Sequence, residues 1–219
     1  IGIDTPAGFV RAHAEVASDG SVLRVRFENV PSFAERIDGT VDVTGVGKVR
    51  YDLGFGGAYY AYVDAAELDV ALIPAEGARL IDLGRRIKHA VQDVDPPEHP
   101  DDQDLSFVYG TIFVGPPHEE GNHSRNVCVF ADGEVDRCPT GTGVSGRLAI
   151  HHARGEIGVG ESVRIESILG TCFDTRILAE VAAGDRTSIL PEVAGRAWIT
   201  GRHEFLVASD DPLRDGFLV

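Results

Sequence analysis

The sequence predicts an α+β fold, and three observations carry that reading. Short runs of alternating apolar and polar residues recur along the chain, bounded by glycine, proline and aspartate, as antiparallel strands require. Only two stretches have helical spacing. No solenoid-like repeat or low-complexity tract organises the 219 residues, whose 43% hydrophobic and 25% charged content is that of a globular chain able to bury a sizeable core.

Gly8 to Val16 and Val22 to Val30 alternate on either side of Asp19-Gly20, a hairpin signal. Val41 to Val43 and Lys48 to Leu53 repeat the pattern around Gly45-Val46-Gly47. The double glycine in Phe55-Gly56-Gly57 predicts a sharp bend or a close backbone approach before a strand from Tyr59 to Val63. Leu80, Leu83, Ile87 and Val91 fall at i, i+3, i+7 and i+11 and predict an amphipathic helix from Gly77 to Gln92. The acidic, proline-bearing run from Asp93 to Asp104 reads as a surface loop. A strand from Ser106 to Val114, a loop from Gly115 to Asn122, a strand from Asn126 to Phe130 and a turn at Asp132-Gly133 follow.

The stretch from Asp136 to Ala149, Asp-Arg-Cys-Pro-Thr-Gly-Thr-Gly-Val-Ser-Gly-Arg-Leu-Ala, then begins as a polar loop and ends as the second helix. Val144, Leu148 and His151/His152 have helical spacing, and Gly155 stands where a C-terminal cap glycine would. The loop therefore presents backbone N–H groups at a helix N-terminus, suited to an anion such as a carboxylate. Gly141-x-Gly143-x-x-Gly146 also matches the dinucleotide fingerprint, a weak signal here because no apolar strand runs straight into the first glycine. Beyond the helix, strands are expected at Ser162 to Ser167, Thr171 to Val181, Thr187 to Leu190 and Val193 to Ile199, with a turn at Gly184-Asp185. A last strand is expected from Glu204 to Val207.

A net charge of −15 excludes a nucleic-acid partner and an anionic membrane surface as expectations, and no apolar run reaches membrane-spanning length. Three cysteines, Cys128, Cys138 and Cys172, are odd in number and lack CxxC spacing, which suits a reducing cytoplasm rather than a disulfide frame or zinc site. Cys128 and Cys172 read as core residues and Cys138 as a small half-buried one. His118 and His123, beside Glu119 and Glu120, read first as solvated loop residues and only second as metal ligands.

Asp136-Arg137-x-Pro139-x-Gly141-Thr142-Gly143 resembles the second active-site motif of the proline racemase family, which includes hydroxyproline epimerases and trans-3-hydroxy-L-proline dehydratases. Asp4-Thr5-Pro6-Ala7-Gly8, Asn29-Val30-Pro31-Ser32-Phe33, the run from Phe55 to Ala61 and Glu166-Ser167-Ile168-Leu169-Gly170 carry the same resemblance. The run from Asp104 to Ile112 and the closing Asp210 to Phe217 are most like the dehydratases. Racemases and epimerases have a cysteine between the proline and the glycine; this chain has Thr140. The family's first motif, Met-Cys-Gly-His, lies upstream of the Asp-Thr-Pro-Ala-Gly stretch, whereas this chain starts at Ile1 and has no methionine. It is therefore expected to be part of a longer protein, with the first catalytic cysteine outside it.

The resemblance implies a diaminopimelate-epimerase-like fold, two similar α/β domains with the active site between them, each a curled sheet around a central helix. Residues 39–195 would form the second domain, and 1–38 and 196–219 would be remnants of the first. It implies a cofactor- and metal-independent hydro-lyase of the cytoplasm, acting on a hydroxyproline or proline, in a family whose members are often dimers. Gly141 and Thr142 would hold the substrate carboxylate and Asp136 its ring ammonium. Thr140, with a hydroxyl that cannot act as α-proton base near neutral pH, would bind the leaving 3-hydroxyl or the developing charge. A proline racemase or 4-hydroxyproline 2-epimerase is the rival within the fold. A non-catalytic imino-acid-binding protein, or an inactive fragment, is the rival of another class.

Overall fold

The computed structural model describes residues 1–183 and 186–217. Twelve strands join in one mixed sheet: β1 Gly2–Thr5, β2 Gly8–Val16, β3 Val22–Glu28, β4 Phe33–Val43, β5 Gly47–Phe55, β6 Tyr59–Asp64, β7 Val108–Gly115, β8 Ser124–Phe130, β9 Glu134–Val135, β10 Ser162–Glu166, β11 Cys172–Ala183 and β12 Arg186–Gly195. Two α-helices, α1 Gly77–Val94 and α2 Gly141–Ala153, complete it. The order is β1-β2-β3-β12-β11-β10-β8-β7-β6-β5-β4, with β9 paired to β8.

The sheet curls until its far edge returns to its middle. Ser32, one residue before β4, exchanges two 2.8 Å backbone hydrogen bonds with Ile189 of β12. α2 fills the space so enclosed, and every residue from Gly143 to Ile150 is buried. Val144 packs with Ile165 and Val193, and Leu148 with Ile177 and Ile189. α1 lies on the other face of the same sheet. Its apolar stripe of Leu80, Leu83, Ile87 and Val91 is buried against Leu53, Phe113, Val127 and Val129. Alternation along β6 serves both helices: Tyr59, Ala61 and Val63 join the α1 core, while Tyr60 and Tyr62 join the cluster that contains Ile150 of α2. Each buried valine, leucine, isoleucine or phenylalanine side chain among them contributes roughly 1.5–3 kcal/mol.

The structure departs from expectation at several elements. β4 begins at Phe33 rather than Val41, with register irregularities between Ala34 and Arg36 and between Arg36 and Gly39. β6 and β7 are parallel, with α1 as their crossover, and β8 and β10 are parallel across α2. The two strands expected around Pro191 are one strand, β12. Pro191 pairs with Ile177 beside a bulge between Ile177 and Ala179, where the ladder is already interrupted and its missing N–H costs little. Glu204 to Val207 form no strand and lie exposed. The turn expected at Gly184-Asp185 lies outside the described residues.

Candidate functional site

The loop from Asp136 to Thr140 is knotted around one carboxylate. The Asp136 N–H donates to the Cys128 carbonyl at 3.1 Å, which ties the loop to β8. Asp136 Oδ1 accepts the Cys138 N–H at 3.0 Å, and Oδ2 accepts the Thr140 hydroxyl at 2.9 Å. Thr140 is the N-cap of α2, with φ 71°. A β-branched residue in that region is strained, and the strain is held by the loop's hydrogen bonds and by burial of Thr140 to 6% exposure. The positive φ swings the chain so that the Thr140 carbonyl accepts the Val144 N–H at 2.8 Å and opens the helix. The N–H groups of Gly141, Thr142 and Gly143 have no partner among the described residues.

Neighbouring elements pin that first turn. The backbone at Gly56 passes so near α2 that a Cβ there would lie 2.2 Å from the Thr142 carbonyl oxygen. The close approach expected of the double glycine is therefore to the helix. Asn29 Nδ2 donates to the Gly56 carbonyl at 2.8 Å and to Ser145 Oγ at 2.9 Å, and Ser145 Oγ donates to the Gly141 carbonyl at 2.9 Å. Tyr62 donates to the Gly143 carbonyl at 2.7 Å, and the Tyr60 hydroxyl lies 2.8 Å from Thr142 Oγ1. Beside Thr142 opens a largely apolar pocket of about 270 Å³, walled by Tyr60, Leu105, Phe107 and Tyr109. A second hollow of about 190 Å³ sits at the far end of α2 around Arg147, His151 and Arg154, and none of Asp136, Thr140, Gly141 and Thr142 lines it.

No thiol of this chain is poised to ionise. Burial, with the Asp136 charge nearby, pushes Cys138 up to about 12. Burial pushes the fully enclosed Cys128 higher still, and Cys172 upward too. The reading of Cys138 as half-buried agrees with its place in the loop; Cys172, expected in the core, is only half-buried.

The histidine-bearing loop has a different organising centre. Glu166, fully buried at the end of β10, accepts the N–H groups of His118 at 2.9 Å and Glu119 at 2.8 Å, and Asn122 Nδ2 at 2.7 Å. Arg125 meets the same carboxylate at 2.7 Å. Burial opposes the charge, but these donors outweigh it and hold the carboxyl near 2. His118 Nε2 lies 3.1 Å from Arg125 Nη1 and His123 Nδ1 2.8 Å from Ser124 Oγ. Among the described residues no group of three metal-ligating side chains forms, and no helix is long and apolar enough to cross a membrane.

Thus Asp136, Thr140, Gly141 and Thr142 are brought together at one end of α2. Sequence reasoning did not single out Asn29, Tyr60 or Ser145. Asn29 and Tyr60 lie in stretches that carried the family resemblance, yet only the fold reveals their partners.

The sequence profile described as proline racemase matches residues 1–218. The chain belongs to the proline racemase family. It is 43% identical to a trans-3-hydroxy-L-proline dehydratase of Colwellia psychrerythraea, over 99% of this chain and 61% of that protein. It is 42% identical to a 3-hydroxyproline 2-epimerase of Burkholderia multivorans, over 100% of this chain and 65% of that protein. The crystal structure of a hydroxyproline epimerase from Agrobacterium vitis, with bound trans-4-hydroxy-L-proline, superimposes with a TM-score of 0.90 at 32% identity. That match covers the whole of this chain and 62% of the epimerase. The expected α+β architecture, a curled sheet around a central helix, is thus the family's own. The chain spans less than two thirds of the length of these relatives.

Proposed function

We propose that the protein to which this chain belongs dehydrates trans-3-hydroxy-L-proline to Δ1-pyrroline-2-carboxylate. The observation that carries the reading is Thr140: a hydroxyl hydrogen-bonded to Asp136 stands at the N-cap of α2, where a two-base racemase would need a second thiol. A hydroxyl is far too weakly acidic to serve as an α-proton base near neutral pH, whereas an unperturbed thiol titrates at roughly 8.5. Cys138, pushed up to about 12, is no substitute.

In this reading the substrate carboxylate sits on the free N–H groups of Gly141 and Thr142, and the ring ammonium on Asp136. A base outside this chain, the cysteine implied by family resemblance, takes the α-proton. The C–H electron pair forms the C2–C3 double bond as the C3–O bond breaks. The 3-hydroxyl takes the proton that the base has just accepted and leaves as water, which returns the base to its starting state, and the enamine tautomerises to the cyclic imine. Rotation of the Thr140 O–H from Asp136 to the departing oxygen puts a donor where negative charge develops. No metal or organic cofactor enters these steps. A small-molecule imino acid is the only partner the reading requires, and dimer formation and a cytoplasmic location remain part of the same proposal.

We also propose that 39–195 is one domain and that 1–38 and 196–219 are parts of a second, completed by sequence outside this chain. Exposed apolar residues are concentrated in those flanks: Ile3, Phe9, Val22, Leu23, Trp198, Ile199, Phe205 and Leu206.

The test is proton NMR of the full-length protein with trans-3-hydroxy-L-proline in D₂O. Conversion to the pyrroline carboxylate with L-proline left unracemised is the expected result. Conversion of L-proline or a hydroxyproline to its C2 epimer, with no dehydration, would establish the racemase or epimerase reading instead. Saturable binding without turnover of any of them would establish an imino-acid-binding protein.

A further inference from the structure

We propose that Tyr60 is a positioning residue that makes the Thr142 side chain a hydrogen-bond donor toward the substrate carboxylate. The inference rests on the reading of the α2 N-terminus as a carboxylate site and deepens it. Tyr60 lies on β6 with 2% exposure, and its hydroxyl touches one polar partner among the described residues, Thr142 Oγ1 at 2.8 Å. Two hydrogens are available to this pair, and hydrogen-bond accounting decides where they go. If Thr142 donated to Tyr60, the buried phenol hydrogen would have no acceptor left, and an unmade buried donor is costly. Tyr60 therefore donates to Thr142 Oγ1. The Thr142 hydrogen is then released to point away from Tyr60, on the first turn of α2, where the N–H groups of Gly141, Thr142 and Gly143 are also free.

The result is a cradle whose hydrogens face the ligand. It matches a carboxylate, which accepts and cannot donate, and discriminates against a carboxamide, whose NH₂ would meet donors. Burial pushes the Tyr60 phenol far above its ordinary value, so it keeps its hydrogen at every working pH and the polarity of the cradle does not change. With only 2% of its surface exposed, the Tyr60 phenol has little access to water that could otherwise supply a competing acceptor.

The experiment compares full-length parent, Tyr60→Phe, Thr142→Val and Thr142→Ser by calorimetric binding of L-proline and L-prolinamide and by KM and kcat for trans-3-hydroxy-L-proline. Tyr60→Phe is expected to weaken L-proline about tenfold, because the Thr142 hydroxyl, no longer held by Tyr60, loses its fixed aim at the carboxylate. L-prolinamide should weaken by less than about threefold, because the cradle already disfavours it. KM should rise in step with the L-proline loss. Thr142→Val should match that loss, the double variant should add nothing further, and Thr142→Ser should bind within about twofold of the parent. Equal losses for both ligands, full additivity, or unchanged L-proline affinity in Tyr60→Phe would overturn the proposal while leaving the site reading intact. If Tyr60→Phe does not fold, parental L-proline affinity in Thr142→Val overturns it alone. A parent that binds no proline-like carboxylate overturns the site reading itself.

Discussion

Thr140 and Glu166 illustrate two uses of a buried polar group. Thr140 keeps an unfavourable backbone conformation because its hydroxyl and its carbonyl each complete a bond the loop needs. Glu166 is spent on architecture: its carboxylate gathers a loop and Arg125 into one buried cluster. Its folded-state value near 2 lies below the ordinary 4.5, so the unfolded chain binds the proton more readily. The stabilisation is therefore complete above about pH 4.5 and is lost as pH falls toward 2. Thermal melts of the parent across that window should show a steep decline in Tm, and Glu166→Gln should be less stable at pH 7 but nearly flat between pH 5 and 3. A parallel decline in both would show that other carboxylates govern acid unfolding.

At the scale of the element, α2 is both core and site. Its middle carries the buried Val144 and Leu148, and its first turn carries the free N–H groups. Because the same helix does both, its axial position must be set closely, and the Gly56 contact sets it. Gly56→Ala would drive a methyl into the Thr142 carbonyl and the Gly146 nitrogen, 2.2 and 2.5 Å from the new atom. Backbone cannot yield as a side-chain tip can, so the cost is expected to be roughly 3 kcal/mol. Chemical denaturation should register it as a lower midpoint with an unchanged slope, and substrate binding should weaken beyond what the lost stability explains. Gly20→Ala is the control: its surroundings are open, and its φ of 83° makes it strained but remote from α2. If Gly56→Ala costs no more than Gly20→Ala, contact with α2 is not what requires the glycine.

Across the whole molecule, the apolar surface is distributed unevenly. The closed part of the sheet buries Phe55 and Tyr59 on one face and Tyr60 and Tyr62 on the other, while Phe9, Trp198, Ile199 and Phe205 are 55–89% exposed on the flanks. Exposed apolar residues in such number predict a covering surface. Residues 1–219 expressed alone should bind a hydrophobic dye and self-associate despite the charge of −15. The full-length protein should bind no dye and form nothing larger than the proposed dimer, as fluorescence and sedimentation can check. A monomeric, dye-silent fragment would mean that the flanks need no cover.

Several features of this chain were legible in local sequence because their cause is local. The α1 stripe is written in the spacing of Leu80, Leu83, Ile87 and Val91, since one helix face meets one flat sheet face. The β2–β3 hairpin is written in Asp19-Gly20, and the α2 stop in Gly155, whose φ of 72° only glycine adopts without strain. The cluster of Asp136, Thr140, Gly141 and Thr142 was equally readable, being contiguous. Pairings over long separations were not. Ser32 meets Ile189, Asn29 meets Ser145 and Tyr60 meets Thr142 only because the sheet curls shut around α2. No periodicity reports closure, and a strand pattern such as Glu204 to Val207 becomes a strand only when a partner strand pairs with it. Residue types and spacing therefore determined the elements and the chemistry available. Tertiary structure alone decided which hydroxyls, amides and carbonyls face one another, because hydrogen-bond direction depends on partners brought together from distant parts of the chain.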